Sequence, residues 1–147
     1  PYGDSRTTVA YGQFSRWANE WFNFENAKTL DNLLMGGRVQ KEELFETKSI
    51  KSELDEIKSI DPKRNLEVVS FLNDYSCSIK NVASVIKSGG VVCYVVGNRT
   101  VKGVQIPLDY FTAEMFEKNG FTHIDTIVAG KKVSTMCNEY IVILEKK

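Results

Sequence analysis

One stretch of the sequence limits the fold more than any other. From Asp61-Pro62 onward, Leu66, Val69, Leu72, Tyr75, Ile79, Val82 and Ile86 recur at three- and four-residue spacing until Gly89-Gly90, and the chain passes at once into the β-branched and aromatic run Val91 to Val96. An aspartate can accept the free amide hydrogens of a first helical turn, and proline at the first helical position loses no hydrogen bond. The first segment therefore predicts a long amphipathic helix with a glycine stop. The second predicts a central strand buried on both faces, as in parallel sheets.

The flanking segments extend this pattern. Asp109 to Lys118 carries Phe111, Met115 and Phe116 at helical spacing and ends in Asn119-Gly120, a left-handed cap. Phe121 to Val128 and Glu139 to Leu144 are two further strand candidates. A helix between two strands predicts a right-handed parallel crossover, whereas the last two strands, joined by a short polar stretch, should be antiparallel neighbours. The expected fold class is α/β, half of a doubly wound sheet with an antiparallel end. On the amino-terminal side, Gln13 to Phe24 places Phe14, Trp17, Ala18, Trp21 and Phe22 on one helical face, which predicts core packing. Lys41 to Ile60 reads as one or two short surface helices, and the first dozen residues as a loop.

At 147 residues, with 42% hydrophobic and 26% charged residues, the chain is one domain or a piece of one, neither a disordered tail nor a disulfide miniprotein. Nineteen basic residues balance nineteen acidic ones, so any nucleic-acid contact must be local rather than carried by a general positive field. No apolar stretch approaches the roughly 20 residues of a membrane-spanning helix, and the opening residues show no signal-peptide pattern. Cys77, Cys93 and Cys137 match no zinc or disulfide spacing and read as free thiols of a cytoplasmic protein, Cys93 being a core residue. His123 has no partner at metal-ligand spacing and reads as a surface or half-buried histidine; no metal is expected.

Three strings carry a resemblance: Pro1-Tyr2-Gly3-Asp4-Ser5, then Thr7 to Ser15, and Val95-Val96-Gly97-Asn98-Arg99-Thr100-Val101-Lys102-Gly103-Val104-Gln105-Ile106-Pro107. They resemble the catalytic half of the DNA amino-methyltransferases of restriction-modification systems, most of all the N4-cytosine type, with N6-adenine open. The resemblance implies part of a doubly wound, Rossmann-like methyltransferase sheet with an antiparallel final strand, and S-adenosylmethionine as methyl donor. That family's catalytic motif is Ser, Asp or Asn followed by Pro-Pro-Tyr, and Pro1-Tyr2 would be its last two residues. The chemistry accounts for the motif. Hydrogen bonds from an exocyclic amino group to the side-chain oxygen and to a proline carbonyl localise the nitrogen lone pair for attack on the sulfonium methyl. The base must first leave the duplex, and an aromatic ring stacks on it.

On this resemblance Pro1 and Tyr2 are catalytic, Tyr2 as the stacking platform. Asp4, Arg6, Asn98, Arg99 and Lys102 are substrate-binding candidates, the last three lying just past the carboxyl end of a buried strand. Lys131 and Lys132 would meet the DNA backbone. The glycine-rich loop that holds the donor in this family has no counterpart here and would normally lie upstream of Pro1. The expectation is therefore a catalytic half that is not a complete gene product, acting on double-stranded DNA with the upstream half of the same protein. Two alternatives stay open: a non-catalytic DNA-binding or sheet-completing fragment of the same fold, and an RNA amino-methyltransferase.

Overall fold

The structure, a computed structural model, describes residues 16–27, 29, 33, 35–130 and 138–147. The short helix α1 covers residues 16–21 of those described. There follow α2 (Lys51–Ile60), α3 (Pro62–Val85), β1 (Val91–Gly97), β2 (Arg99–Val101), β3 (Val104–Ile106), α4 (Leu108–Lys118), β4 (Phe121–Gly130) and β5 (Glu139–Lys146). The start of α3 is the expected one: the Asp61 side chain accepts from the Arg64 amide at 3.0 Å, with Pro62 behind it. The end of α4 also matches, because Gly120 takes the left-handed φ of +84° that lets the chain turn back into β4.

Three strands form one sheet in the order β1-β5-β4, every neighbouring pair antiparallel. The expected antiparallel pairing of Phe121–Val128 with Glu139–Leu144 is present. β1 and β4 do run parallel to each other, as a right-handed crossover requires, but β5 lies between them and takes the hydrogen bonds of both. Val91 to Val96 is therefore an edge strand of the described sheet, not a central one. It is also covered on one face only. Val92 and Val96 are buried and face Leu144 and Tyr140 in register, while Val91, Cys93 and Val95 are exposed. The continuous apolar run reflects two different surroundings: a packed inner face and an open outer one.

The inner face of the sheet is covered by α4, and α3 packs against α4 and α2. Aromatic rings knit these layers together. Phe71 stacks on Tyr75, Tyr75 on Phe111, and Phe45 meets Phe111 edge-on, while Tyr94, Phe116 and Phe121 form a second edge-to-face series under the sheet. One polar chain crosses this core. The Tyr75 hydroxyl lies 2.7 Å from Thr112 Oγ1, and Thr112 donates its own hydrogen to the Leu108 carbonyl, so Tyr75 is the donor. Burial raises the Tyr75 phenol well above its usual range, against the opposing effect of that hydrogen bond.

The other side of α3 is polar for a reason the sequence pattern does not reveal. Ser70, Asn73 and Asp74 bind an extended segment through Gly36 N, Gln40 N, Gln40 Nε2 and Leu44 N at 2.6–2.9 Å. Of Lys41 to Ile60, only Lys51–Ile60 is helical; the part before it is this extended strap, anchored by Phe45 and Ile50 in the core. The expected core stripe near the amino terminus is not covered among the described residues: Trp17, Trp21 and Phe22 are 70%, 83% and 68% exposed. A helical period shows which side chains share a face, not what covers that face. No helix among the described residues is long and apolar enough to cross a membrane.

Candidate functional site

In open α/β sheets ligands bind beyond the carboxyl ends of the strands. At that end of β1 the first residue is Asn98, which is 6% exposed. Its Oδ1 accepts the Asp109 amide at 3.3 Å. That amide belongs to the first turn of α4, where backbone N–H groups have no helical acceptor. Asn98 thus ties the end of β1 to the start of α4. Asp109 is 5% exposed, and its Oδ1 has no hydrogen-bond partner among the described residues. The positive end of the α4 dipole favours a carboxylate there.

Between Asn98 and α4 the chain makes a small hairpin, β2 against β3, which packs on α2. Its two turn residues, Lys102 and Gly103, both have positive φ, +53° and +85°, the geometry whose twist suits a two-residue hairpin. A lysine is strained in that conformation by about 1 kcal/mol relative to glycine. From this tip the Lys102 ammonium reaches Asp61 Oδ2 at 2.9 Å, while Oδ1 of the same carboxylate caps α3. The Lys102 hydrogen bond first, and the Arg64 amide second, hold Asp61 below the usual carboxylate range.

The sequence candidates are therefore distributed along one hairpin. Asn98 is at its base and buried, Arg99 opens β2 half-buried, and Lys102 is at the tip, paired to the start of α3. Pro1, Tyr2, Asp4, Arg6, Lys131, Lys132 and Cys137 lie outside the described residues. Asp61 and Asp109 belong to this neighbourhood and were not among the sequence candidates. Asp109 was legible only as an acidic first-turn residue, and Asp61 only as a helix cap. Cys93 is exposed on the open face of β1 rather than in the core, because no helix among the described residues covers the outer side of the sheet. His123 is half-buried as expected, its Nε2 2.8 Å from Thr126 Oγ1.

A second charged cluster fastens the scaffold. Glu114 on α4 is 16% exposed and accepts from Thr47 Oγ1 at 2.7 Å, Ser49 Oγ at 2.6 Å, and the amides of Lys48 and Ser49 at 2.9 and 3.0 Å. Desolvation pushes its pKa up, but the Ser49, Thr47 and backbone hydrogen bonds together outweigh it and leave the carboxyl at about 2. This cluster locks the entry of α2 to α4. It offers nothing to a ligand.

The residues described do not fit a donor site for S-adenosylmethionine, which calls for a glycine-rich turn at the carboxyl end of a strand. Gly36 donates its amide to Asp74 beside α3, and Gly89-Gly90 lie at the amino end of β1. Among the described residues no group of three His, Cys, Asp or Glu side chains could hold a metal ion.

Comparison with known proteins adds the deciding observation. In an alignment that covers 84% of this chain, the sequence is 39% identical to the type II methyltransferase M.MvaI of Kocuria varians. The chain is similar to one part of a type II methyltransferase. It spans 30% of the length of that relative. Two structures of a Thermus thermophilus protein called a DNA modification methylase align more loosely. One has 24% identity and a TM-score of 0.43 over 52% of this chain and 37% of the other; the second, complexed with S-adenosyl-L-methionine, has 22% and 0.46 over 57% and 40%. No family model matches the sequence.

Proposed function

We propose that this chain is the target-base half of a DNA amino-methyltransferase of the restriction-modification type, acting on the exocyclic amino group of a flipped base, cytosine N4 before adenine N6. The observation that carries the reading is the 39% identity to a type II methyltransferase along 84% of the chain. Three features support it. β5 inserted antiparallel between β1 and β4 is a fitting end for a doubly wound, Rossmann-like sheet. The outer edge and outer face of β1 are apolar and uncovered among the described residues, as expected if the sheet continues into the rest of the protein. The stretch from Asn98 to Lys102 lies at the strand end where such sheets bind substrates.

In this reading the chain's own task is to present the base. Tyr2 stacks on its face, Pro1 stands before it as the third residue of the catalytic motif, and Asp4, Arg6 and Arg99 contact the substrate. Asn98, bound to the Asp109 amide, holds the base of the hairpin against α4. Lys131 and Lys132 meet phosphates. The methyl donor, S-adenosylmethionine, is held by the rest of the protein, and a cytoplasmic location accords with access to DNA.

Radiolabelled methyl transfer to duplex DNA by the full-length protein tests the reading. Transfer to cytosine N4 that falls at least about fivefold in Tyr2→Ala is expected, since stacking on a base is worth about 1–3 kcal/mol. Methylation of RNA alone, or full activity in Tyr2→Ala, would overturn it. The isolated 147-residue segment should show no heat of binding with S-adenosylmethionine.

A further inference from the structure

We propose that Lys102 is a DNA-backbone contact held ready by Asp61, so that a substrate phosphate and the Asp61 carboxylate compete for one ammonium group. The inference rests on the DNA reading above and concerns a residue, Asp61, that the reading itself does not use.

The geometry points to an exchangeable pair. The Lys102 side chain is 45% exposed and that of Asp61 30%, so a phosphate can approach the 2.9 Å contact from solvent. Asp61 does not need Lys102 to keep its structural role, because its other oxygen caps α3 through the Arg64 amide. Lys102 in turn sits at a hairpin tip in a left-handed conformation that asparagine or glycine would adopt more easily, so its presence there is not explained by the turn. The hairpin begins immediately after Asn98, at the carboxyl end of β1, and projects Lys102 away from that strand end. A duplex whose flipped base lies at the strand end has backbone phosphates to either side, and a lysine at the tip would meet them as a point charge. Until then Asp61 keeps the long side chain ordered and neutralised.

The experiment compares Asp61→Asn, Lys102→Gln and the double variant in the full-length protein, with duplex binding measured by fluorescence anisotropy across a salt series. Asparagine retains an oxygen for the Arg64 amide, and melting curves confirm that each variant is folded. Competition requires opposite signs. Asp61→Asn should tighten binding about two- to fivefold at low salt, and Lys102→Gln should weaken it and lower the slope of log K against log salt by about 0.9. The double variant should match Lys102→Gln alone, and Lys102→Arg should restore binding. Weakening by Asp61→Asn would show that the pair merely braces the hairpin, and equal tightening in the presence and absence of Lys102 would show a general effect of negative charge. Either result overturns the proposal. Absence of any duplex binding by the unmodified protein would instead overturn the DNA reading on which it stands.

Discussion

Replacing Glu114 with glutamine removes one charge from the junction of α2 and α4 while keeping the side chain's size. The carboxylate accepts two hydroxyls and two backbone amides, and its pKa stands at about 2 against an ordinary value of 4.5. At about 1.36 kcal/mol per unit, a shift of that size corresponds to about 3 kcal/mol of preference for the ionised form in the folded state. Water still reaches part of the cluster, and the partly exposed Lys118 lies 3.1 Å away, so screening reduces the effective value to about 2 kcal/mol. Because the folded pKa is depressed, this stabilisation is complete above about pH 4.5 and disappears as the pH falls from there towards 2. Calorimetric melts between about pH 7 and pH 2.5 measure it. Glu114→Gln should melt about 6 °C lower at neutral pH, at about 3 °C per kcal/mol. The two melting curves should draw together below about pH 4. A constant difference across the whole series would refute the reasoning, since the loss would then come from packing and not from the ionised carboxylate.

Three further outcomes are expected. Tyr75→Phe should cost about 1–2 kcal/mol in denaturant melts by leaving Thr112 Oγ1 without its donor, and the Tyr75→Phe, Thr112→Val pair should cost less than the sum of the two single changes. Gly120→Ala should cost about 1 kcal/mol from its φ of +84° alone, since an added Cβ would meet no atom within 4 Å; an unchanged melting temperature would contradict this. Val95→Lys, on the open face of β1, should leave the far-ultraviolet circular dichroism of the isolated segment unchanged. In the full-length protein it should lower the melting temperature by several degrees, and an equal melting temperature would show that nothing packs on that face.

What could be read in the sequence was mostly local. The Asp61-Pro62 start of α3, the Asn119-Gly120 stop of α4 and the strands expected at Phe121–Val128 and Glu139–Leu144 depend on neighbouring residues, and they stand where the pattern places them, each strand running two residues further. The position of β1 depends on strand order, a non-local property. Val91–Val96 and Tyr140–Leu144 are similarly apolar, and nothing within either run says which lies between two partners. The same limit explains Cys93 and the tryptophans of α1, whose periodicity defines a face without defining its neighbour. The hairpin was visible in principle as Lys102-Gly103 between alternating residues, yet its flanks are only three residues long. In the candidate site, the position of Asn98 at a strand end was legible, whereas its bond to Asp109 and the pairing of Lys102 with Asp61 needed the tertiary fold.

The place of β5 has a consequence for the order in which the protein takes shape during synthesis. β1 and β4 are translated before it, yet among the described residues neither pairs with the other, and each hydrogen-bonds to β5. Until residues 139–146 leave the ribosome, the edges of both strands that face β5 lack this partner. When β5 arrives it closes two ladders at once and fastens the lower corner of the domain. Lys146 exchanges backbone hydrogen bonds with Gly89 and Gly90, and its ammonium reaches the Ala83 carbonyl beneath the Phe121 ring. The three-stranded sheet is therefore completed only once Glu139–Lys146 is available to both partners.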